Sequence, residues 1–208
     1  MTRYLLALLL FATSCNRGPK PPVDPELAAA MPAGAAVLAG IDLERLRTTP
    51  LLPRVPEPWR QASYVLAAYD GKDLVTAARV GARISTTGPA GAGAPPDLLR
   101  HATASPIWLV ARGNATLPLT GNLANLNRLL HQTEYTTISA RVGDRVDLEI
   151  AGYCRTPETA QHLEENLRAI VSLMGIGGRQ ELPLDVRREG SIVRATGSAT
   201  LDAVGKLF

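Results

Sequence analysis

The chain has 208 residues, of which 46% are hydrophobic and 20% are charged, and its formal net charge at pH 7 is +3. This length suffices for one well-packed core or two small ones. The small net charge argues against a nucleic-acid-binding protein, because such proteins carry a clustered basic surface and the basic residues here are dispersed.

The N-terminal segment has the features of a bacterial secretion signal. Arg3 precedes an apolar run over residues 4–12, which is too short to span a bilayer as a helix and has the length of a secretory h-region. Small residues follow this run and lead to a cysteine. The tetrapeptide Ala12-Thr13-Ser14-Cys15 resembles the lipobox of bacterial lipoproteins, with Ala12 standing where leucine is usual. Secretion without lipidation is therefore the alternative.

This resemblance implies a signal peptide over residues 1–14 and a lipid anchor on Cys15. The cysteine would receive a diacylglyceryl group, become the mature N terminus and be acylated again, and two acyl chains give a stable anchor. Residues 15–25 are rich in proline and predict an extended tether. Asn16 follows the cysteine in place of aspartate, a feature associated in this class with delivery to the outer membrane. The expected location is the cell envelope, at the outer membrane and facing the periplasm.

The first elements after the tether are short. A helix over 26–31 is followed by a compact apolar run over 35–42 that predicts a strand, and then by one helical turn over 43–46. Four prolines between 48 and 59 are expected to exclude regular structure there. Trp59, at the end of this stretch, is expected to fill an edge of the core; an exposed recognition residue is the alternative.

Two dipeptides in the chain indicate tight hairpin turns. Asp70-Gly71 is the strongest such signal, and Glu189-Gly190 is a second one near the end of the chain. The segments on either side alternate apolar and polar residues, as strands with one buried face do. The pairs expected from two-residue loops are Leu66 with Val75 and Val186 with Val193.

Between these hairpins, residues 97–101 and 121–130 are predicted helices and residues 107–111 a strand. The helix over 121–130 has leucines on one side. Its opposite side carries three asparagines, Asn122, Asn125 and Asn127. That side resembles a polar recognition surface, and a solvated helix face is the alternative.

A hairpin and a long helix between residues 135 and 175 form the centre of the predicted fold. On either side of Gly143, apolar and polar residues alternate, which predicts two strands. A three-residue loop keeps the apolar positions of both strands on one face by pairing Ile138 with Ile150. The helix begins after Thr156, a good N-cap, and presents one apolar stripe. The residues of this stripe are Ala160, Leu163, Leu167, Ile170, Val171 and Met174.

The succession of hairpins predicts an α+β fold, in which an antiparallel sheet of sequential β-hairpins carries helices packed on one face. Residues 85–96 are rich in glycine, alanine and proline and carry no charge, which predicts a flexible surface loop or a boundary. We expect one globular domain over 26–208. Two halves, 26–84 and 97–208 on either side of this loop, are the alternative arrangement within it. A degenerate strand-helix-hairpin-helix repeat, first over 35 to about 103 and again over 107–174, is a further alternative.

The sequence contains no recognisable catalytic or cofactor-binding motif. Its glycine-rich stretches lack the spacing of a phosphate-binding loop, and no Gly-x-Ser-x-Gly elbow occurs. Asp147 and Glu149 alternate on an outward strand face, where solubility explains them. Two histidine–glutamate pairs have the spacing of metal ligands on a helix, although a solvated helix face explains such pairs equally well. These pairs are His131 with Glu134 and His162 with Glu165. We therefore assign no catalytic, cofactor or metal site.

Cys154 is the other cysteine of the chain. With Cys15 lipidated, it has no partner for an intramolecular disulfide. Strand parity puts Cys154 on the same side as Ile150, so a buried, inert thiol is expected. A nucleophile or an intermolecular bridge is the alternative.

Three functions are consistent with these features. The first, which we favour, is a non-catalytic, membrane-tethered envelope lipoprotein that holds an envelope protein or a peptidoglycan-associated partner through a sheet edge, a loop or the asparagine side. The second is a carrier of a small apolar ligand or lipid, which requires an apolar cavity between the sheet and the long helix. Its walls would be Leu163, Leu167 and Ile170. The third is an envelope hydrolase or metal-dependent enzyme that uses His162 with Glu165, or Cys154.

Overall fold

A computed structural model describes residues 23–88, 91–117, 125–176 and 183–201. Its strands are β1 (Val37–Asp42), β2 (Tyr64–Tyr69), β3 (Leu74–Val80), β4 (Arg83–Thr87), β5 (Ile107–Arg112), β6 (Tyr135–Val142), β7 (Arg145–Tyr153), β8 (Leu184–Glu189) and β9 (Ile192–Thr200). They pair antiparallel into one nine-stranded sheet with the order β4-β3-β2-β1-β5-β6-β7-β9-β8. The α+β class with an antiparallel sheet is therefore confirmed.

The helices of the described residues are mostly short. They are α1 (Pro25–Ala29), α2 (Leu43–Leu46), α3 (Glu57–Arg60), α4 (Pro96–His101), α5 (Asn125–Leu130) and α6 (Pro157–Ile176), with a 3-10 helix at Leu52–Arg54. The long helix α6 begins as predicted, because the side-chain oxygen of Thr156 accepts a hydrogen bond from the N–H of Thr159 at 3.2 Å.

The proline-rich stretch contains more regular structure than the sequence suggested. The expectation of none over residues 48–59 was wrong, since the 3-10 helix and α3 both lie there. Each of them has a proline in its first turn, where the missing N–H has no partner to lose and the fixed φ suits a helix. Trp59 is half-buried and packs against the cluster of Leu43, Leu46 and Val65, so its predicted place at a core edge is confirmed.

Helices cover both faces of the sheet, so the prediction that they pack on one face was wrong. We call the face that carries Leu38 and Trp108 the front and the face that carries Ile138 and Ile150 the back. α1 and α4 pack on the front, and α2, α5 and α6 pack on the back. Both sides of β1 are apolar, so the strand needs cover on each face.

The front and back layers divide the sheet into two unequal halves. In the dense half, which we define as β4, β3, β2, β1 and β5, the front is fully packed beneath α1 and α4. Trp108 lies across β1, where its indole N–H donates to the hydroxyl of Tyr64 at 2.9 Å. Gly40 leaves the space for this indole, since a Cβ there would collide with both rings. The open half consists of β6, β7, β9 and β8. Among the described helices, α6 and the end of α5 pack on its back, and only the end of α4 reaches its front.

The central hairpin has the register that was predicted. Ile138 pairs with Ile150, and the N–H of Gly143 donates to the carbonyl of Arg145 at 2.9 Å, which closes the three-residue loop. The apolar positions of both strands thereby share the back face, as the buried side of a sheet requires.

The other two hairpins differ from the prediction by a register shift of two residues. Leu66 pairs with Ala77 instead of Val75, and Val186 pairs with Ala195 instead of Val193. In the first hairpin, the carboxylate of Asp70 accepts hydrogen bonds from the N–H groups of Lys72 and Asp73, both at 2.8 Å, so the loop includes residues 70–73. These bonds also hold the pKa of Asp70 below its usual value. A shift of two leaves every side chain on its original face, so alternation alone could not detect it.

The edge strand β4 lies where the sequence predicted the start of a loop over residues 85–96. A turn at Gly81, with φ of 60°, leads back from β3 into this strand. Ile84 is its only large apolar residue and packs against the front core, while its other side chains are polar. A short polar edge strand protects a sheet against further pairing, and its composition resembles that of a loop.

Candidate functional site

The front of the open half carries polar side chains instead of a helix layer. α4 reaches only as far as β6 and β7, where His101 stacks on Tyr135 with ring centroids 4.5 Å apart and tilts against Tyr153 at 5.1 Å. Beyond these rings, the described residues leave a groove of about 450 Å³, which we call the polar groove. Its lining residues are Ser105, Ser139, Arg141, Asp147, Leu148, Glu149, Thr196, Gly197 and Ser198.

Both signs of charge are present in the polar groove. Arg194 contacts one side of it, and its Nη1 lies 2.7 Å from Oε1 of Glu149. Arg141 and Asp147 stand opposite each other on β6 and β7, and both are exposed. Neither forms an ion pair with any of the residues described. The groove therefore offers one cation and one anion side by side, among several hydroxyl groups.

A second feature is an apolar cavity between the back of the sheet and helices α5 and α6. Its volume is about 170 Å³. The residues that line it are Leu109, Leu117, Leu129, Leu130, Thr133, Thr136, Ile138, Ile150, Gly152, Leu163, Leu167 and Val193. The carrier hypothesis required walls at Leu163, Leu167 and Ile170, although ordinary core was the favoured interpretation of these residues. Leu163 and Leu167 do line this cavity, whereas Ile170 is not among the described lining residues.

The size of the apolar cavity is unusual for a folded core. Protein interiors contain few voids larger than a water molecule. Leu109, Ile138 and Ile150 lie on three central strands, border this space and are half-buried.

Among the described lining residues of the apolar cavity, Thr133 and Thr136 are the only ones with a polar side chain. The hydroxyl of Thr133 donates to the carbonyl of Leu130 at 2.7 Å. Its oxygen lies 3.0 Å from the hydroxyl of Thr136, which must then be the donor of that pair. Both hydroxyl protons are thereby used, so the described side chains offer the cavity no free hydrogen-bond donor.

A cluster of charged and aromatic side chains joins the two halves of the sheet. The carboxylate of Asp97, on α4, accepts two hydrogen bonds from Arg112 of β5, both at 2.9 Å, and one from the hydroxyl of Tyr135 of β6 at 3.0 Å. The hydrogen bonds from Arg112 are the main reason that the pKa of Asp97 falls to about 2. The bond to Asp97 also raises the pKa of Tyr135. A carboxylate held this firmly as an anion is a poor general base near neutral pH.

Cys154 lies in the core beside α6. Cys154 is 5% exposed and packs in the cluster that includes Ala160 and Leu163, so its predicted burial is confirmed. Burial raises the pKa of the thiol, which lowers the fraction of reactive thiolate.

The two histidine–glutamate pairs lie on the surface. Nδ1 of His162 is 3.8 Å from Oε2 of Glu165, and both side chains are largely exposed. Glu134 instead approaches Arg155, at 3.4 Å. Within the described ranges, no group of three or more histidine, cysteine, aspartate or glutamate side chains is arranged to hold a metal ion.

On the asparagine side of α5, Asn127 is engaged within the protein. The side chain of Asn127 accepts a hydrogen bond from the N–H of Leu117 at 2.9 Å and donates to its carbonyl at 3.0 Å. It therefore joins α5 to Leu117 and is not free for recognition. Asn122 and the side chain of Asn125 lie outside the described residues.

The predicted lipidation site, Cys15, and the signal peptide over residues 1–14 also lie outside the described residues, as does most of the tether. Among the helices described, none combines the length and the apolar character needed to cross a membrane.

The polar groove was missed as a site at the sequence level. Alternation in β6 and β7 does identify Ser139, Asp147 and Glu149 as outward residues. The missing information was that no helix of the described chain covers them, and this depends on where α4 ends in space.

No family model matches this chain, and the searches of curated proteins and of solved structures found no match either. Its function therefore has to be inferred from the polar groove and the apolar cavity.

Proposed function

We propose that this protein is a non-catalytic binding module of a bacterial cell envelope, tethered to the membrane by a lipid on Cys15, and that it docks a protein partner in the polar groove. The observation that supports this most directly is the uncovered front of the open half. The dense half has helices on both faces, whereas the polar groove lacks such a layer within the described chain.

The chemistry of the groove indicates the kind of partner. Arg141 and Asp147 are neighbouring, exposed and without ion pairs among the described residues, so each can contact an opposite charge of a partner. Ser139 and Thr196 add hydroxyls that both donate and accept. The hydroxyl of Ser198 accepts a hydrogen bond from Nε of Arg145 at 2.9 Å and keeps its proton to donate. A polypeptide segment with one acidic and one basic side chain matches this arrangement. A polyanion such as nucleic acid would meet Asp147 and Glu149 as repulsive charges.

The tether would hold the domain close to the membrane. At about 3.1 Å per residue, an extended stretch from Cys15 to Val23 would span roughly 25 Å. A partner at the outer membrane, facing the periplasm, would lie within that distance. Secretion without a lipid is the alternative that the test below distinguishes.

The described strands also support one domain over 26–208 with an internal duplication, which we propose as its origin. β1 is followed by helical segments and the hairpin of β2 and β3, and β5 is followed by α5 and the hairpin of β6 and β7. The two units are adjacent in the sheet through the pairing of β1 with β5, and each continues outwards in the same order. In both units the helix before the hairpin lies on the back face.

The test is cross-linking in living cells of the source bacterium, followed by mass spectrometry of the protein joined to the tagged full chain. Arg141→Glu is compared with wild type and with Arg83→Glu, a matched control on the exposed edge strand β4. We expect one partner to be captured by wild type and by the control, and at least tenfold less of it by Arg141→Glu. Equal capture by all three would exclude the polar groove as the docking surface.

A parallel arm with Cys15→Ser tests the anchor. The variant should lose its acyl groups and leave the membrane fraction, and partner capture should fall if the partner is held at the membrane surface. A variant that remains membrane-bound would show that the lipid anchor is wrong, whatever the result for Arg141.

A further inference from the structure

The apolar cavity has no part in the proposed docking at the polar groove, because it lies on the opposite face of the sheet. Ile150 contributes to the cavity, whereas its neighbour Glu149 contributes to the polar groove. We infer that the apolar cavity is a binding site for one hydrocarbon group about the size of a single six-membered ring.

The volume of the cavity sets the size of this group. About 170 Å³ is close to the roughly 150 Å³ of an engineered apolar cavity that stays dry and binds benzene. Sites for drug-sized molecules are larger, at about 300–1,000 Å³. A single ring, or a comparable piece of an alkyl chain, therefore fits, and a larger molecule could insert only one end.

The lining of the cavity sets its chemistry. Leucine, isoleucine and valine side chains form most of the described wall, and none of the lining residues that the structure describes is charged. The hydroxyl protons of Thr133 and Thr136 are used within the protein. A carboxylate or phosphate inside the cavity would lose its hydration without gaining a hydrogen-bond donor from the described side chains. On walls that are mostly aliphatic, the part of the ligand that enters is therefore uncharged and a hydrocarbon.

The helices that close the cavity suggest how a ligand enters. Leu129 of α5 and Leu167 of α6 both line it, and both are half-buried. A ligand that enters between these helices would pass the two leucines, which can change rotamer without breaking a backbone hydrogen bond. A small apolar molecule and the end of a lipid acyl chain share this chemistry.

The test uses the full chain with Cys15→Ser, purified without detergent, and measures binding of benzene and of benzoate at pH 7 by calorimetry. Benzene should bind at one site and raise the melting temperature. Benzoate carries the same ring with a carboxylate, which finds no donor among the described lining side chains, and should bind at least tenfold more weakly. Absence of benzene binding up to its solubility limit would overturn the inference, and so would equal affinity for benzoate.

Two variants locate the site. Ile150→Phe and Ile138→Phe each add volume to a residue that lines the cavity, and either should reduce benzene binding at least tenfold. Ile192→Phe is the matched control, because Ile192 pairs with Tyr153 and lies on the front face. Benzene binding that survives in both cavity variants would place the ligand elsewhere and overturn the inference, and either variant suffices if the other fails to fold.

A second arm distinguishes the two sources of the hydrocarbon. The protein is incubated with vesicles of dioleoyl phosphatidylcholine, separated from them and titrated with benzene. Recovered lipid together with blocked benzene binding would identify an acyl chain as the ligand. Unchanged benzene binding and no recovered lipid would identify a free small hydrocarbon, and each outcome leaves the cavity as the site.

Discussion

The dense and open halves of the sheet differ in how completely their two faces are covered by packed side chains and helices. On the front of the dense half, Leu38 and Leu66 are completely buried beneath α1 and α4. On the front of the open half, Arg141 and Thr196 face solvent, and the back holds the apolar cavity. Close packing excludes ligands and supplies stability. The contrast indicates that the dense half stabilises the fold, while the open half provides the surfaces that can bind something else.

Replacing a leucine by alanine should therefore lower the free energy of unfolding more in the dense half than in the open half. Leu66→Ala removes a fully buried side chain from a close-packed core and should lower the free energy of unfolding by about 4 kcal/mol. Leu167→Ala removes a half-buried side chain that already borders an empty space, and should cost about 1 kcal/mol. Urea unfolding of both variants measures the difference.

Leu74→Ala serves as the control for this pair, since Leu74 is 63% exposed. Its effect should stay within about 0.5 kcal/mol. If Leu66→Ala and Leu167→Ala proved equally costly, the two halves would be packed alike and the comparison would fail.

Adding one methyl group probes the same contrast from the opposite direction. A Cβ at residue 40 would collide with the rings of Trp108 and Tyr64 inside the dense half, so Gly40→Ala should cost about 3 kcal/mol. A Cβ at residue 152 would meet Cδ2 of Leu163 at 2.8 Å and Cγ2 of Thr133 at 3.1 Å. Both neighbours border the cavity and can shift into it, so Gly152→Ala should cost only about 1 kcal/mol. Thermal and urea unfolding provide the measurement.

The control for the glycine pair is Gly143→Ala, where a Cβ would have nothing within 4 Å. Its stability should match that of wild type. A Gly152→Ala variant as unstable as Gly40→Ala would show that the wall of the cavity is rigid, which would also weaken the case for ligand entry.

The sequence was sufficient to predict the described strands other than β4, and the register of the central hairpin, because these depend on local alternation. Val142 and Val146 could share a buried face only with an odd loop, so Ile138 had to pair with Ile150. The outer hairpins keep the same faces after a shift of two residues. Their registers depend on loop chemistry such as the carboxylate of Asp70, which alternation does not report.

The features that depend on several distant segments could not be predicted in this way. β4 has one large apolar residue, Ile84, and the rest of its sequence is typical of a loop. It is a strand because it pairs with β3. The face on which each helix packs depends on the direction the chain takes when it leaves the preceding strand, and local alternation does not report that direction. The cavity was considered only as a requirement of a carrier, with walls at Leu163, Leu167 and Ile170, because its lining combines several strands with two helices that are distant in sequence.

The contact between the halves can be tested through pH. Asp97 joins α4 to Arg112 of the dense half and to Tyr135 of the open half, and its pKa falls to about 2 in the folded protein. Because the folded pKa lies below the unfolded one, the stabilisation is present above about pH 4 and disappears as the pH falls through 2. Asp97→Asn should lower the free energy of unfolding by about 1 kcal/mol at pH 7, after allowance for solvent screening, and by much less near pH 2.

Urea unfolding at pH 7 and near pH 2 measures this difference, with Asp147→Asn as the control because Asp147 is exposed and forms no ion pair with the described residues. Subtracting each variant from wild type at the same pH removes the contribution of all other carboxylates. A loss that is equal at both pH values would mean that Asp97 acts through packing alone. A loss confined to neutral pH would show that the charge of Asp97 holds the dense half to the half that carries both candidate binding surfaces.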